Sequence, residues 1–148
     1  MTDSVSAAVP ELAGHGVVWA SAWQAPSTTA SLTTRGWALA PCRSEIGAGA
    51  RASQAAVATA LRLPDPAGRN LDALADVLTD LPRFWPGHDK VALLWHDADV
   101  LEVADRAGHD RLVAVLRCAA ERLSSDVPGA GPSITFGSVL FTREATDR

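Results

Sequence analysis

The 148-residue sequence contains no tyrosine and only two cysteines, Cys42 and Cys118. Two thiols cannot build the disulfide framework of a small secreted scaffold or the cysteine cage of a structural zinc site. Long apolar runs are also missing. Nothing approaches the roughly 20 residues of a membrane span, and the start Met1-Thr2-Asp3-Ser4 has neither basic residues nor the apolar stretch of a signal peptide. The expected setting is a reducing cytoplasm with no membrane. Positive charge is in deficit, with 13 Lys and Arg against 17 Asp and Glu and a formal net charge of -4. That is the wrong sign for holding a phosphate backbone, so the expected partner is a basic protein and not nucleic acid.

With 47% hydrophobic and 20% charged residues, the chain can bury a real core, and its length suits one domain. The short β-prone runs Val17 to Ala20 and Trp37 to Ala40 are candidate strands, stopped by the Pro26-Ser27-Thr28-Thr29 cluster and by Pro41. Left without a sheet, Val17, Val18 and Trp19 would expose apolar surface, so residues 16–22 are expected to add a strand. Ser53 is a plausible N-cap for a helix through Ala55, Val57, Ala58 and Leu61, which must stop near Pro64. Asn70 caps the next, where Leu71, Leu74, Leu78 and Leu81 recur at three and four residues, predicting an amphipathic helix to about Leu81. Lys90 to His96 reads as a strand covered on both faces, Asp110 to Leu123 as a helix, and Ser133 to Phe141 as the last strand. Alternating strands and helices predict an α/β fold: a small, mostly parallel sheet of three or four strands with packed helices.

Three constellations bear on chemistry. Gly47-Ala48-Gly49-Ala50-Arg51-Ala52 fits a loose dinucleotide fingerprint, but its glycines begin several residues beyond the second strand, and the chain lacks room for two mononucleotide-binding halves. His96, Asp97 and Asp99 sit at the carboxyl end of a strand, where α/β sheets commonly bind ligands, and would be the centre of a small hydrolase. Their bland reading is a polar strand end with a carboxylate capping a short helix. Neither pattern supplies a metal or cofactor set. The third is Asp72, Asp76 and Asp80, spaced by four on the helix that begins at Asn70, with Asp72 and Asp76 almost opposite the leucines. Like charges at that spacing cost about 0.2–0.5 kcal/mol per pair, so helix stability alone would not choose them.

The stretch Leu63-Pro64-Asp65-Pro66-Ala67-Gly68-Arg69-Asn70-Leu71-Asp72-Ala73-Leu74-Ala75-Asp76 resembles the central motif of the barstar family, intracellular inhibitors of secreted ribonucleases. At the level of motif and element order the resemblance runs over residues 36–142. It sets aside 1–14 as an arm, 15–35 as an extension with a probable extra strand, and 143–148 as a tail. It implies an acidic helix and preceding loop that plug a ribonuclease active site, the carboxylates standing in for RNA phosphates. Asp72 and Asp76 match the acidic pair, and Gly68 and Asn70 match residues that shape the loop and cap. Arg69, Pro66, Ala75 and Asp80 complete the expected contact surface. Pro66, Ala67 and Ala75 stand where the family carries aromatic residues, so the aromatic anchors are absent. Cys118 stands at a later carboxylate position, with Glu121 one turn on as its expected substitute. The resemblance therefore implies a monomeric, non-enzymatic inhibitor or immunity protein, without cofactor, for a basic ribonuclease or nuclease toxin. The alternative is an interaction module of the same fold that has lost inhibition.

Overall fold

The computed structural model describes residues 16–124 and 134–143. Within them four strands, β1 (Val17–Ser21), β2 (Ala38–Arg43), β3 (Lys90–His96) and β4 (Thr135–Thr142), form one sheet in the order β1-β4-β3-β2. Every neighbouring pair is parallel, in registers such as Val18 with Val139, Ala40 with Leu93 and Leu93 with Ser138. Parallel neighbours need crossovers. These come from helices α1 (Ala25–Thr34), α2 (Ala50–Ala60), α3 (Leu71–Leu78), α4 (Leu81–Phe84), α5 (Ala98–Ala104) and α6 (Arg106–Ser124).

Strand side chains alternate between two cores, one on each face of the sheet. Val91, Leu93 and Trp95 of β3, with Phe136 and Leu140 of β4, meet Val57, Leu74, Leu78, Leu101 and Leu116 from the helices. Ala92, Leu94, Val139 and Phe141 point the other way, against Val18, Leu32 and Trp37. Thus β1 and α1, from the segment expected to be an extension, help build the second core.

Several local expectations change. β2 does not stop at Pro41 but runs through it to Arg43. Proline cannot donate to a ladder, yet β2 is an edge strand and can afford it. The Pro26-Ser27-Thr28-Thr29 cluster is not what stops β1: the strand ends at Ser21, a 3-10 turn follows at Ala22–Gln24, and proline enters the first turn of α1, where its missing N–H costs nothing. The Gln24 side chain accepts the Ser21 backbone N–H at 2.8 Å, one half of a Ser-x-x-Gln capping box that the sequence displays. Ser53 is not an N-cap. α2 begins at Ala50 with Gly49 as its cap, and the buried Ser53 Oγ lies 2.9 Å from Ser44 Oγ. α6 begins four residues before Asp110, at Arg106. The last strand was expected from Ser133, which lies outside the described residues, as do 1–15 and 144–148; the described strand extends one residue past Phe141, to Thr142.

If α1 is part of the fold and not an appendage, Leu32→Ala removes a fully buried side chain and should cost about 2–5 kcal/mol in urea or guanidinium unfolding. A loss within about 0.5 kcal/mol, the range of surface substitutions, would show that α1 can leave its face of the sheet freely.

Candidate functional site: an acidic helix and its loop

The loop before α3 is a 3-10 turn, Asp65–Gly68, entered through an extended Pro64. It is fastened from α2, because the Gln54 amide donates to the Ala67 carbonyl at 3.0 Å and the Arg51 guanidinium to the Arg69 carbonyl at 3.2 Å. Pro66 is exposed and Ala67 fully buried. Gly68 takes no left-handed conformation, and a Cβ there would meet Ala55 at 3.7–3.8 Å, an ordinary contact. The loop's shape therefore comes from the two hydrogen bonds and the prolines, not from glycine freedom at position 68.

Asn70, in extended conformation, opens α3 by accepting the Ala73 N–H at 2.8 Å on its side-chain oxygen. Leu74 and Leu78 are fully buried, which leaves Asp72 and Asp76 exposed on the far side. Asp72 lies in the first turn, where the helix dipole favours it.

Asp80 does not belong to this helix. α3 ends at Leu78, Thr79 and Asp80 donate instead to the Asp76 and Val77 carbonyls at 3.3 and 3.0 Å, and Asp80 opens the one-turn α4 by accepting Arg83 N–H at 2.9 Å. Pro82 is the cause: it has no N–H for the Leu78 carbonyl, so the ladder cannot continue. The expected stripe of three carboxylates is a pair followed by a turn.

Beside α3 runs α6. Ala75 and Thr79 face Val115, Cys118, Ala119 and Arg122 across a narrow seam. Glu121 is exposed on α6 but outside that seam; the charged residue lining it is Arg122. The three- and four-residue spacing of Val115, Cys118, Ala119 and Arg122 marks one helix edge in the sequence.

The strand-end constellation is occupied. Arg43 pairs with Asp97, whose backbone is left-handed at φ 55, and Arg143 pairs with Asp99 at 3.3 Å through Nε and also donates its backbone N–H to it. His96 stacks on Phe141, and its pKa lies below the ordinary value because of burial first and the neighbouring Arg43 second. Asp97 and Asp99 thus tie the ends of β2, β3 and β4 together. One further group among the described residues has metal-ligand spacing: Glu102, His109 and Asp110 bring ligand atoms within 4.8 Å of one another. Within it the His109 Nδ1 lies 3.0 Å from an Asp110 carboxylate oxygen, and Asp110 also faces Arg106 at 3.8 Å.

A family model described as Barstar (barnase inhibitor) matches residues 48–131, more than half of the chain. The match takes in α2, the loop, α3 to α6 and β3, and leaves β1, α1, β2 and β4 outside it. No curated protein and no solved structure matches.

The thiols report on the phase of α6. Cys118 is exposed and Cys42 half-buried, and burial pushes the Cys42 thiol up to about 12. At pH 8 a thiol-specific reagent should label Cys118 in the native protein and Cys42 only after unfolding. Protection of Cys118 until denaturation would mean that the α3–α6 seam is closed over differently from the arrangement described.

Proposed function

Since the chain belongs to the barstar family, we propose that it is an intracellular inhibitor or immunity protein that covers the basic active-site cleft of a ribonuclease or nuclease toxin. The observation that carries this reading is the division of α3: two fully buried leucines hold it to the sheet while Asp72 and Asp76 face outward. A nuclease must line its cleft with Arg, Lys and His to hold phosphates, and two carboxylates on one rigid face meet those same groups. Inhibition of this kind works by occlusion and asks for no catalytic residue, metal or cofactor. Pre-organisation helps, because the Asn70 cap and the fastened loop leave little backbone to order on binding. The contact surface runs from Pro66, Gly68 and Arg69 through Asn70, Asp72, Ala75 and Asp76, with Asp80 and Glu121 at its edges.

A second reading has its own support. Pro66 offers no aromatic anchor, Ala67 is fully buried and Ala75 is a methyl group beside the α6 seam. Aromatic anchors often dominate interface energy, and a surface without them also suits an interaction module whose partner is no nuclease.

The two separate in one experiment. The full chain is immobilised, exposed to lysate of its own cells, and the retained proteins are assayed for RNA and DNA hydrolysis with and without added free chain. Inhibition predicts a basic nuclease that the free chain silences. Asp72→Ala with Asp76→Ala should then weaken binding by about 2–5 kcal/mol, a general range for desolvated charge pairs to which barstar complexes themselves contribute. Stability should move by only about 0.5 kcal/mol, and association should slow as salt rises. Undiminished inhibition by the double variant would remove α3 from the inhibitory surface, and a consistent non-nuclease partner would establish the module.

A further inference from the structure

The geometry points to a cationic half of the same interface: Arg51, Arg69 and Arg111 form a carboxylate-binding cleft beside the acidic helix, and the partner carries an acidic patch next to its basic cleft. This rests on the inhibitor reading and specifies the partner's surface. The three arginines, with Asn70, Gly108 and Leu112, line a cleft of about 200 Å³. It exists because the starts of three helices converge. Gly108, in the first turn of α6, lies so near α2 that a Cβ there would come within 2.8 Å of Ala50 Cβ. The Arg51 hydrogen bond to the Arg69 carbonyl draws the start of α3 to the same place.

All three arginines are exposed, and among the described residues none is paired with a carboxylate. Around them the helix starts present the positive ends of their dipoles. One of these ends is answered internally, where Asp105 accepts the Gly108 N–H at 2.9 Å. The chain as a whole carries a formal charge of -4, so this cleft is a local reversal of sign.

Position decides what fills it. Arg69 and Asp72 are separated only by Asn70 and Leu71, the cap and first residue of α3. A standard interface covers about 800 Å² on each partner, so a protein seated on Asp72 and Asp76 also covers the cleft. A uniformly basic partner would press cations against three guanidinium groups. A partner with carboxylates beside its basic cleft satisfies both halves, and the alternation of sign sets its orientation. Guanidinium suits this role through its planar, bidentate fit to a carboxylate.

The test uses the nuclease retained by the immobilised chain, purified, and the full-length chain with Arg111→Glu, Arg51→Glu/Arg111→Glu, Arg111→Lys or Asp72→Ala/Asp76→Ala, each checked by thermal melting. The Arg111 side chain makes no hydrogen bond or ion pair among the described residues, so its single variants guard against a loop disturbed through Arg51. Both glutamate variants should bind at least tenfold more weakly, and Arg111→Lys should stay within about threefold of the original affinity. The introduced amine should also form a carbodiimide cross-link to an Asp or Glu of the nuclease, readily assigned because Lys90 is the only lysine of the chain. Unchanged or tighter binding by the glutamate variants, with binding lost in the aspartate variant, overturns the cleft and leaves the inhibitor reading standing. Failure to retain a nuclease, or full affinity in the aspartate variant, overturns the inhibitor reading and the cleft with it. A single-stranded RNA decamer bound by the free chain and released by Arg51→Glu/Arg111→Glu would make the cleft a nucleic-acid site and overturn the proposal.

Discussion

A fully parallel sheet has no face that can be left to water, and that constraint organises this molecule. Every residue of β4 is buried, as are the five central residues of β3. Their side chains alternate outward into two cores, so each face demands a cover. On one side α2, α3, α5 and α6 supply it; on the other the cover within the described residues is α1 with Trp37. The placement of the acidic pair follows. Once Leu74 and Leu78 are committed to the sheet, the pitch of the helix leaves Asp72 and Asp76 no direction but outward.

Presentation then depends on α2, which acts as a bracket between the core and the loop. Its Ser53 hydroxyl joins Ser44, and Ser44 accepts the Trp95 indole N–H at 2.8 Å, so a short buried polar chain ties α2 to β3. From the same helix Gln54 and Arg51 reach the loop carbonyls of residues 67 and 69. At its other end the Leu61 carbonyl accepts the Trp85 indole N–H at 2.8 Å, and the Arg62 guanidinium lies 3.7 Å over that ring. Buried polar groups with satisfied partners fix geometry more than they add stability. Here the geometry they fix is the entry of α3, so its first turn is held from both sides before any partner arrives.

The parts of this architecture written in local chemistry were legible in the sequence. Asn70 reads as a cap because its side chain can reach the N–H of Ala73, and the leucine spacing of α3 reads as a buried face because nothing else competes with it. Where two local rules met, one overrode the other. The leucine period continues to Leu81, but Pro82 withholds a hydrogen bond and Asp80 falls out of the helix. α1 was hidden because its sequence, Ala-Pro-Ser-Thr-Thr-Ala-Ser-Leu-Thr-Thr, offers Leu32 and Thr28 as its only buried residues, and its Ser-x-x-Gln box sits a full 3-10 turn ahead of it. Pro41 looked like a strand stop because the rule against proline in sheets is suspended on an edge strand, and edge position is a property of topology. The cationic cleft was invisible for the same reason: Arg51, Arg69 and Arg111 are far apart in the chain and meet only because three helix starts converge.

That convergence changes how an interface on this surface can be specific. With Pro66 and Ala75 and no aromatic side chain on it, this surface has little apolar area with which to fill a partner's pocket, and recognition through it would fall to charge. A single patch of one sign attracts any oppositely charged surface, quickly and with little discrimination. Two patches of opposite sign, joined through the Asn70 cap, attract one arrangement and repel its reverse, which adds selectivity through repulsion. The price is that each charge buried at the interface must find its counterpart, since an unpaired one costs more than a paired one contributes. A surface built this way tolerates few partners, because the same desolvation that penalises a mismatch rewards only a partner whose charges of both signs are matched.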